Sequence, residues 1–324
     1  APEQLRSERK PREIRRRDLI KIKTIGHGQF GEVWKCVLDE MYTRGTPEYM
    51  VAAKTVLDAE ESPGASKELL SEAMVMAQVA GHRNLVSIIG VITRGDPLVL
   101  VLQYCERGSV LDELKMQAAE GTPVTIALKM KMALDVASGM AHLASLHFIH
   151  RDLAARNVLV TDGAVSTAEH NKSGLSSTLV CKVADFGLSR GDGNSDGSGG
   201  VGEGSKESYY KSSNGVFPIR WTSPEAMEQL RFTQASDVWS FAIVVVEVMQ
   251  DGTNPYHGTS NPDVMTFVMS GGRHPNPSAD CTDELYNFLL LCWHQDVAQR
   301  PTFVKVVQHF KALCKAAAAA APAV

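Results

Sequence analysis

The hydrophobic pattern of this chain changes its period before residue 110, and that change limits the fold more than any other feature. Between residues 19 and 56, apolar and polar side chains alternate, as where Ile20, Ile22 and Thr24 are separated by lysines. Such alternation is typical of half-buried β-strands and predicts an antiparallel meander. From about Val110 onward, apolar residues recur at the spacing of a helical face. The sequence therefore predicts an α+β fold, with a small antiparallel β-rich lobe followed by a larger, mainly helical lobe.

Residues 65–80 interrupt the strand-like region, because their apolar side chains form one stripe along a helix. The stripe consists of Leu69, Ala73, Met76 and Ala80. The remaining predicted strands lie at 85–93 and 98–104, and the remaining predicted helices lie at about 125–146, 235–250, 262–270, 282–294 and 301–315. Two polar segments without periodicity, 161–178 and 191–204, are predicted to be loops.

Composition excludes several classes of protein. The chain has 324 residues, 44% of them hydrophobic and 22% charged, which is enough for one large domain or two lobes. A net charge of −4 argues against nucleic-acid binding, which depends on an excess of Lys and Arg. The six cysteines include no Cys-x-x-Cys pair, so we expect reduced, mostly buried thiols and neither a zinc site nor a disulfide framework. No apolar run approaches the length of a membrane span, so the sequence predicts no transmembrane helix or signal peptide.

A basic segment lies near the N-terminus. Between residues 6 and 17, seven Lys or Arg residues accompany only Glu8 and Glu13. Two interpretations remain open: a flexible arm in solvent, or an arm that lies on an anionic cytoplasmic membrane surface. Because the chain begins at Ala1 rather than Met and ends in an alanine-rich tail, we expect it to be part of a longer protein.

Three glycines, Gly26, Gly28 and Gly31, form a Gly-x-Gly-x-x-Gly motif. In dinucleotide-binding units the third glycine starts a helix, whereas residues 33–37 alternate like a strand. The motif therefore predicts a strand–loop–strand hairpin. Backbone N–H groups of such a loop can approach phosphate oxygens, because glycine has no Cβ in the way. A purely structural hairpin remains the alternative for this motif taken alone.

Lys54 follows the apolar residues Val51, Ala52 and Ala53. A lysine at a strand end is usually a solvated edge residue. Glu72, however, lies on the predicted helix beside its apolar stripe, where it can turn inward and neutralise a partly buried ammonium. We therefore predict a Lys54–Glu72 pair that presents the lysine charge to the phosphates of a nucleotide.

At this point the sequence resembles the protein kinase family, whose further motifs follow in the family's order. They are His150-Arg151-Asp152 with Asn157, Asp185-Phe186-Gly187, Ser223-Pro224-Glu225, Asp237-Val238-Trp239-Ser240 and Arg300-Pro301. The resemblance implies a bilobal kinase fold over residues 19–313. Its implied parts are an N-lobe at about 19–102, a hinge at about 103–108 and a C-lobe at about 109–313, between a basic juxtamembrane-like arm at 1–18 and an Ala-rich tail at 314–324.

The resemblance also implies the catalytic groups. The implied catalytic residues are Asp152, Arg156, Lys54 and Glu72, and the implied ligands of Mg²⁺, or alternatively Mn²⁺, are Asn157 and Asp185. Phosphoryl transfer depends on charge neutralisation and positioning more than on covalent chemistry. Asp152 would hydrogen-bond the attacking hydroxyl and accept its proton late in the reaction.

The implied nucleotide site binds ATP and lies between the lobes. Its implied residues are Ile25, Gly26, Gly28, Gly31, Val33, Ala52, Lys54, Gln103, Cys105 and Leu159. Leu102 would be the gatekeeper at the back of the pocket, and Glu225 would pair with Arg300 at the end of the activation segment.

The acceptor is implied by Ala154 and Arg156, because Ala-Ala-Arg after the catalytic aspartate is the tyrosine-kinase form, most similar to the receptor-type branch. Pro218 to Trp221 resemble the platform on which tyrosine kinases rest a flat ring. Tyrosine-bearing proteins are thus the implied substrates. A serine/threonine or dual-specificity kinase is the closer alternative, and a catalytically weak kinase-fold scaffold is the more distant one. Such a scaffold would lack the catalytic lysine or aspartates, which are present here.

Regulation and location are implied less directly. Tyr209 and Tyr210 stand where tyrosine kinases often autophosphorylate, and a phosphate there would pair with Arg151 or Arg190 and order the segment. The chain is expected to be the cytoplasmic domain of a single-pass plasma-membrane receptor that dimerises at full length. A cytoplasmic enzyme is the alternative.

Overall fold

A computed structural model describes residues 9–28, 31–56, 64–122, 124–163, 179–187, 189–191, 210–212 and 215–320. The strands are β1 (Leu19–Gly28), β2 (Gly31–Glu40), β3 (Thr46–Thr55), β4 (Ile88–Ile92), β5 (Val99–Gln103), β6 (Phe148–Ile149), β7 (Val158–Asp162), β8 (Leu179–Val183), β9 (Arg190–Gly191), β10 (Tyr210–Ser212) and β11 (Gly215–Phe217). The α-helices are α1 (Met41–Arg44), α2 (Ala65–Val79), α3 (Val110–Ala119), α4 (Ile126–Ser145), α5 (Pro224–Gln229), α6 (Gln234–Met249), α7 (Asn261–Met269), α8 (Asp283–Cys292) and α9 (Phe303–Ala320). Short 3₁₀ turns lie at Arg16–Asp18, Ala155–Asn157, Ile219–Trp221 and Val297–Gln299.

The first lobe is built on a five-stranded antiparallel sheet with the order β1-β2-β3-β5-β4. Alternation along β3 divides its side chains between two faces, so that Val51 and Ala53 are buried while Ala52 and Lys54 face the other way. The buried face forms a small apolar core with Cys36, Leu38, Val99 and Val101. Helix α2 covers part of the lobe and belongs to a second, larger core shared with the helices.

Residues 9–18 of the basic segment lie against this sheet. The N–H of Ile14 donates to the carbonyl of Val91 on β4 at 2.7 Å, and the Ile14 side chain is buried in the small core. The Arg12 guanidinium donates to Glu40 at 2.9 Å, and Arg16 donates to the carbonyl of Gly95 at 2.8 Å. Residues 9–18 therefore do not form a solvated flexible arm, because one apolar side chain anchors them among the charges. Residues 1–8 lie outside the described residues.

The second lobe is organised around α6, which is buried from Ser236 to Met249. A helix that is apolar on nearly every side must pack on all of them, and α6 lies beneath the loop between β6 and β7. Thr233 caps its first turn, with the Thr233 hydroxyl accepting the N–H of Ser236. The α+β prediction is confirmed, and the ends of the predicted helices lie within a few residues of those observed, apart from the C-terminal end of α9.

The polar segments predicted to be loops differ in part from expectation. Thr161 and Asp162 continue β7, and Gly191 ends β9, so these residues are strand rather than loop. Residues 164–178 and 192–209 lie outside the described residues. Among the helices that the structure describes, none has the length and apolar character needed to cross a lipid bilayer.

Candidate active site

The glycine motif closes the first hairpin of the sheet, as the sequence predicts. Strands β1 and β2 pair up to Gly28 and Gly31, and the two residues between them lie outside the described ranges. A Cβ on Gly31 would lie 1.7 Å from the carbonyl oxygen of Thr55, whereas a Cβ on Gly26 would meet Val33 at an ordinary 3.7 Å. Gly31 is therefore required where β2 passes the end of β3, in addition to any contact with a ligand.

Lys54 on β3 contacts two carboxylates. Its Nζ lies 2.8 Å from Glu72 Oε2 on α2 and 3.3 Å from Asp185 Oδ1. Burial lowers the pKa of Lys54, but the charges of Asp185 and Glu72 outweigh this effect and hold that pKa above its ordinary value. The ammonium in turn lowers the pKa of Asp185, whose side chain is 49% exposed. The predicted Lys54–Glu72 pair is present, and Asp185 joins it as a third member.

Asp152 lies in the loop between β6 and β7 and is buried. Arg156 Nη2 donates to its Oδ1 at 2.6 Å, and Asn157 Nδ2 donates to its Oδ2 at 3.0 Å. The 3₁₀ turn Ala155–Asn157 brings both donors back toward the aspartate. Two donors on separate oxygens fix the orientation of a carboxylate, which suits a group that must receive a proton at one position.

Asp237 at the start of α6 holds the backbone of this loop. It is buried, and its oxygens accept the N–H groups of His150 and Arg151 at 2.8 and 3.0 Å. Arg151 has a φ of 71°, which is uncommon for a residue other than glycine, and these two bonds stabilise it. Burial raises the pKa of Asp237. Sequence reasoning named Asp237 only as part of a motif; the available signal was an acidic residue at the head of an apolar helix.

Asn157 and Asp185 present oxygen atoms of the kind that Mg²⁺ prefers. The N–H of Ala184 donates to the carbonyl of Asn157 at 2.9 Å, so Asp185 follows directly beside it. The described residues contain no cluster of three or more His, Cys, Asp or Glu that would hold a metal by itself. Mg²⁺ commonly takes one or two protein oxygens and completes its shell with phosphate and water. These residues therefore fit an ion that binds together with a nucleotide.

The predicted adenine pocket faces the exposed side of β3. Val33 pairs with Lys54 across β2 and β3, and Ala52 lies two residues before Lys54, so the three share one face of the sheet. Leu159 on β7 is half-buried, and Ile25 on β1 is 43% exposed. Apart from Lys54, these side chains are apolar, as the walls of a pocket for a flat ring usually are.

The predicted hinge has backbone groups of two kinds that could face a ligand. The N–H of Gln103 donates to the carbonyl of Ser87 at 2.9 Å, so the backbone of Gln103 has only its carbonyl left to offer a ligand. Within the described ranges, the N–H of Cys105 has no hydrogen-bond acceptor. The Cys105 side chain is buried, and burial raises its pKa to about 11. Leu102, the predicted gatekeeper, pairs with Ala52 across β3 and β5.

The predicted substrate platform contacts the loop that carries Asp152 and Arg156. Residues 219–221 form a 3₁₀ turn that ends at the buried Trp221, and the Arg156 guanidinium lies 4.5 Å from the centroid of the Trp221 ring. Trp221 Nε1 donates to Glu247 Oε2 on α6 at 2.8 Å, and the N–H of Ala155 donates to the same oxygen at 2.9 Å. Sequence reasoning missed Glu247, which lies within the apolar helix α6.

Two further predictions concern the activation segment. Glu225 and Arg300 form the predicted ion pair, with Arg300 Nη2 2.8 Å from Glu225 Oε2. Tyr210 begins β10, whose backbone pairs with β11, while Tyr209 lies outside the described residues. The expected pairing of a phosphate with Arg151 or Arg190 is therefore still a prediction.

Comparison with known proteins identifies the family. The profile described as protein tyrosine and serine/threonine kinase matches residues 19–310. Ephrin type-A receptors 7 and 5 of Gallus gallus are each 38% identical to this chain, over 89% and 88% of its length and 26% and 25% of theirs. Ephrin type-A receptor 4-B of Xenopus laevis is also 38% identical, over 89% of this chain and 26% of the receptor. The chain thus spans about a quarter of each relative. It belongs to the protein tyrosine and serine/threonine kinase family, whose members use ATP and Mg²⁺, and it is similar to receptor-type members.

Proposed function

We propose that this chain transfers the γ-phosphate of ATP to tyrosine hydroxyls of proteins. The observation that supports this most directly is the series of contacts from Asp152 through Arg156 to the ring of Trp221. The small Ala154 stands two residues after Asp152, where serine/threonine members of the family generally have lysine. A phenol is longer than a serine hydroxymethyl, so its platform must lie farther from the base. Arg156 joins the base to a platform built around an aromatic ring.

The roles of the residues follow from their contacts. Lys54, paired with Glu72, presents a cation to the phosphate oxygens of ATP. Cys105 presents a backbone N–H to the adenine ring. Asp152, oriented by Arg156 and Asn157, accepts the proton of the acceptor hydroxyl as the bond to phosphorus forms. Mg²⁺, when held by Asn157 and Asp185, supplies neutralisation of the phosphate charge.

A dual-specificity kinase is the second candidate, because no contact within the platform excludes a shorter acceptor by itself. Arg156 and Trp221 favour a ring, and Ala154 leaves no lysine near the base. The ratio of tyrosine to serine labelling separates the two candidates.

The setting of the domain is proposed from its relatives. They are named as receptors, and the chain matches a quarter of each. We place it as the cytoplasmic part of a plasma-membrane receptor that dimerises at full length. If the basic segment contacts the membrane, the contact would be made by its exposed cations, such as Arg9, Lys10 and Arg17.

Autophosphorylation at Tyr209 or Tyr210 is proposed from their place between Asp185 and Glu225. The attached phosphate would pair with a nearby arginine and order the segment that carries it. Replacing both tyrosines by Phe should lower activity toward a peptide after preincubation with ATP. Equal rates before and after the replacement would contradict this regulation.

The decisive experiment measures phosphate transfer from ATP and Mg²⁺ to poly(Glu,Tyr) and to a serine peptide, with the wild-type chain and with Asp152→Asn. Tyrosine labelling that falls by at least about a hundredfold in the variant supports the proposal, since the base is lost while the shape is kept. Glu228→Gln, a similar change on the surface, is the control. Labelling of serine alone, or full activity of Asp152→Asn, would overturn the proposal.

A further inference from the structure

Glu247 is a buried carboxylate outside the residues that act on ATP. It lies on α6 with only 2% of its surface exposed. Its Oε2 accepts the backbone N–H of Ala155 at 2.9 Å and the indole N–H of Trp221 at 2.8 Å. A buried carboxylate is costly unless its hydrogen bonds are satisfied. Here the two donors belong to the loop that carries Asp152 and to the predicted substrate platform.

The two donors lead back to the catalytic base by separate routes. The first route passes through Trp221. The centroid of its ring lies 4.5 Å from the Arg156 guanidinium, and Arg156 donates to Asp152 at 2.6 Å. The second route passes through Ala155, the residue before Arg156, because its backbone N–H donates to the same Glu247 oxygen that Trp221 binds. Glu247 therefore holds both the backbone of Arg156 and the ring against which its side chain lies. A displacement of Glu247 would change the distance between platform and base.

We propose that Glu247 is a positioning residue for the acceptor peptide, setting the register between the substrate platform and the catalytic loop. The inference rests on the proposed phosphate transfer to a protein hydroxyl and adds a residue that touches neither ATP nor the acceptor. The nucleotide site is built mainly from β1, β2, β3 and the hinge, and no hydrogen bond joins Glu247 to any of these within the described residues. Loss of Glu247 should therefore affect the peptide more than ATP.

The charge of Glu247 strengthens the arrangement. Hydrogen bonds to an ionised acceptor are roughly twice as strong as those to a neutral one. The cations that face Glu247 are Arg156 on the catalytic loop and Lys115 on α3, and both favour the ionised form. Burial nevertheless raises the pKa of Glu247 to about 7. The ionised fraction, and with it the hold on both donors, increases as the pH rises through this value.

The test compares wild type with Glu247→Gln, which keeps the shape and an acceptor oxygen but loses the charge. With poly(Glu,Tyr) at pH 8, the KM for peptide should rise by about fivefold, while the KM for ATP changes less than twofold. Near pH 6 the two proteins should differ little, because much of the wild-type carboxyl is then protonated. Glu228→Gln, on the exposed part of α5, should match wild type at both pH values.

A double-mutant cycle separates positioning from general weakening. Trp221→Phe keeps a ring under Arg156 but removes the indole N–H, so Glu247→Gln in that background should raise the peptide KM less than it does in wild type. Additive losses, an unchanged peptide KM, or equal losses for peptide and ATP would each overturn the inference. If wild type labels only serine, the proposed acceptor is wrong, but the same comparison with the serine peptide still decides the role of Glu247.

Discussion

The two lobes hold the charged side chains around the site in different ways. In the first lobe Lys54 is held by side chains alone, and 31% of it remains exposed between Glu72 and Asp185. In the second lobe Asp237 and Glu247 are buried and bind backbone N–H groups of the loop that carries Asp152. An ion pair between two separate elements breaks when either element moves, whereas a buried carboxylate bonded to backbone fixes the loop to the core. The first lobe is therefore the adjustable part of the site, and the second is the fixed part.

The largest expected effect is on the stability of the second lobe. Asp237→Ala leaves the N–H groups of His150 and Arg151 without their acceptor in a buried place. Each lost bond to a charged group costs about 1.5–3 kcal/mol, so the free energy of unfolding should fall by about 4 kcal/mol. Denaturant unfolding measures this change. The exposed Asp280→Ala should change it by less than about 0.5 kcal/mol. Similar losses of unfolding free energy in the two variants would contradict the view that Asp237 fixes this loop to the second lobe.

The second effect should appear in activity rather than in stability. Glu72→Gln removes the charge that holds Lys54 but leaves Asp185 beside it. We expect kcat/KM to fall by about a hundredfold, equivalent to about 2.7 kcal/mol of transition-state stabilisation. The unfolding free energy should change by about 1 kcal/mol or less, since the ammonium is partly solvated. Peptide kinetics and denaturant unfolding are measured on the same preparation. A loss of stability as large as that of Asp237→Ala would remove the contrast between the lobes.

A third effect depends on pH. The pKa of Glu247 in the folded chain is raised to about 7 from an ordinary 4.5, so its protonated form favours folding. That contribution is fully present below about pH 4.5 and is lost as the pH rises through about 7. Relative to Glu247→Gln, wild type should therefore lose about 2 kcal/mol of stability between pH 5 and pH 8. Unfolding curves of both proteins across this range give the difference directly. A constant difference would show that Glu247 does not titrate there.

The smallest expected effect concerns the basic segment. Arg12→Ala removes a guanidinium that pairs with the buried Glu40 and should cost about 1 kcal/mol of stability. Arg17, whose side chain is 75% exposed, supplies the matched control, and Arg17→Ala should change stability by less than about 0.5 kcal/mol. Thermal unfolding distinguishes the two variants. Equal midpoints would indicate that residues 9–18 contribute nothing to the first lobe.

The sequence predicted a contact best where a charged residue needs a partner and both residues lie on strongly patterned elements. The Lys54–Glu72 and Glu225–Arg300 pairs follow from residue types that need a partner, placed on elements whose pattern is strong. The contacts of Glu247 could not be predicted in this way, because its donors lie 92 and 26 residues away. Periodicity shows which face of α6 is apolar, but α6 is buried on all sides, so the pattern gives no direction to its acidic residues.

The position of the basic segment also could not be predicted from the sequence. Its composition indicates a solvated run of charges, and Ile14 is a single apolar residue among them. Burial of that one residue, together with two backbone hydrogen bonds to Val91, decides its position. Local composition averages over many residues, so it does not reveal that a single residue, Ile14, fixes the segment.

The position of that segment also protects the sheet. β4 is a terminal strand in the order β1-β2-β3-β5-β4, and such a strand offers unpaired N–H and C=O groups to any neighbouring chain. The carbonyl of Arg12 accepts the N–H of Val91, and Gly90 permits this approach, because a Cβ there would lie 2.6 Å from the Arg12 oxygen. Residues 12–14 thus occupy backbone groups of β4 that could otherwise pair with a strand of another chain. A domain shortened to begin at residue 19 would gain an open edge as well as lose the small core's Ile14.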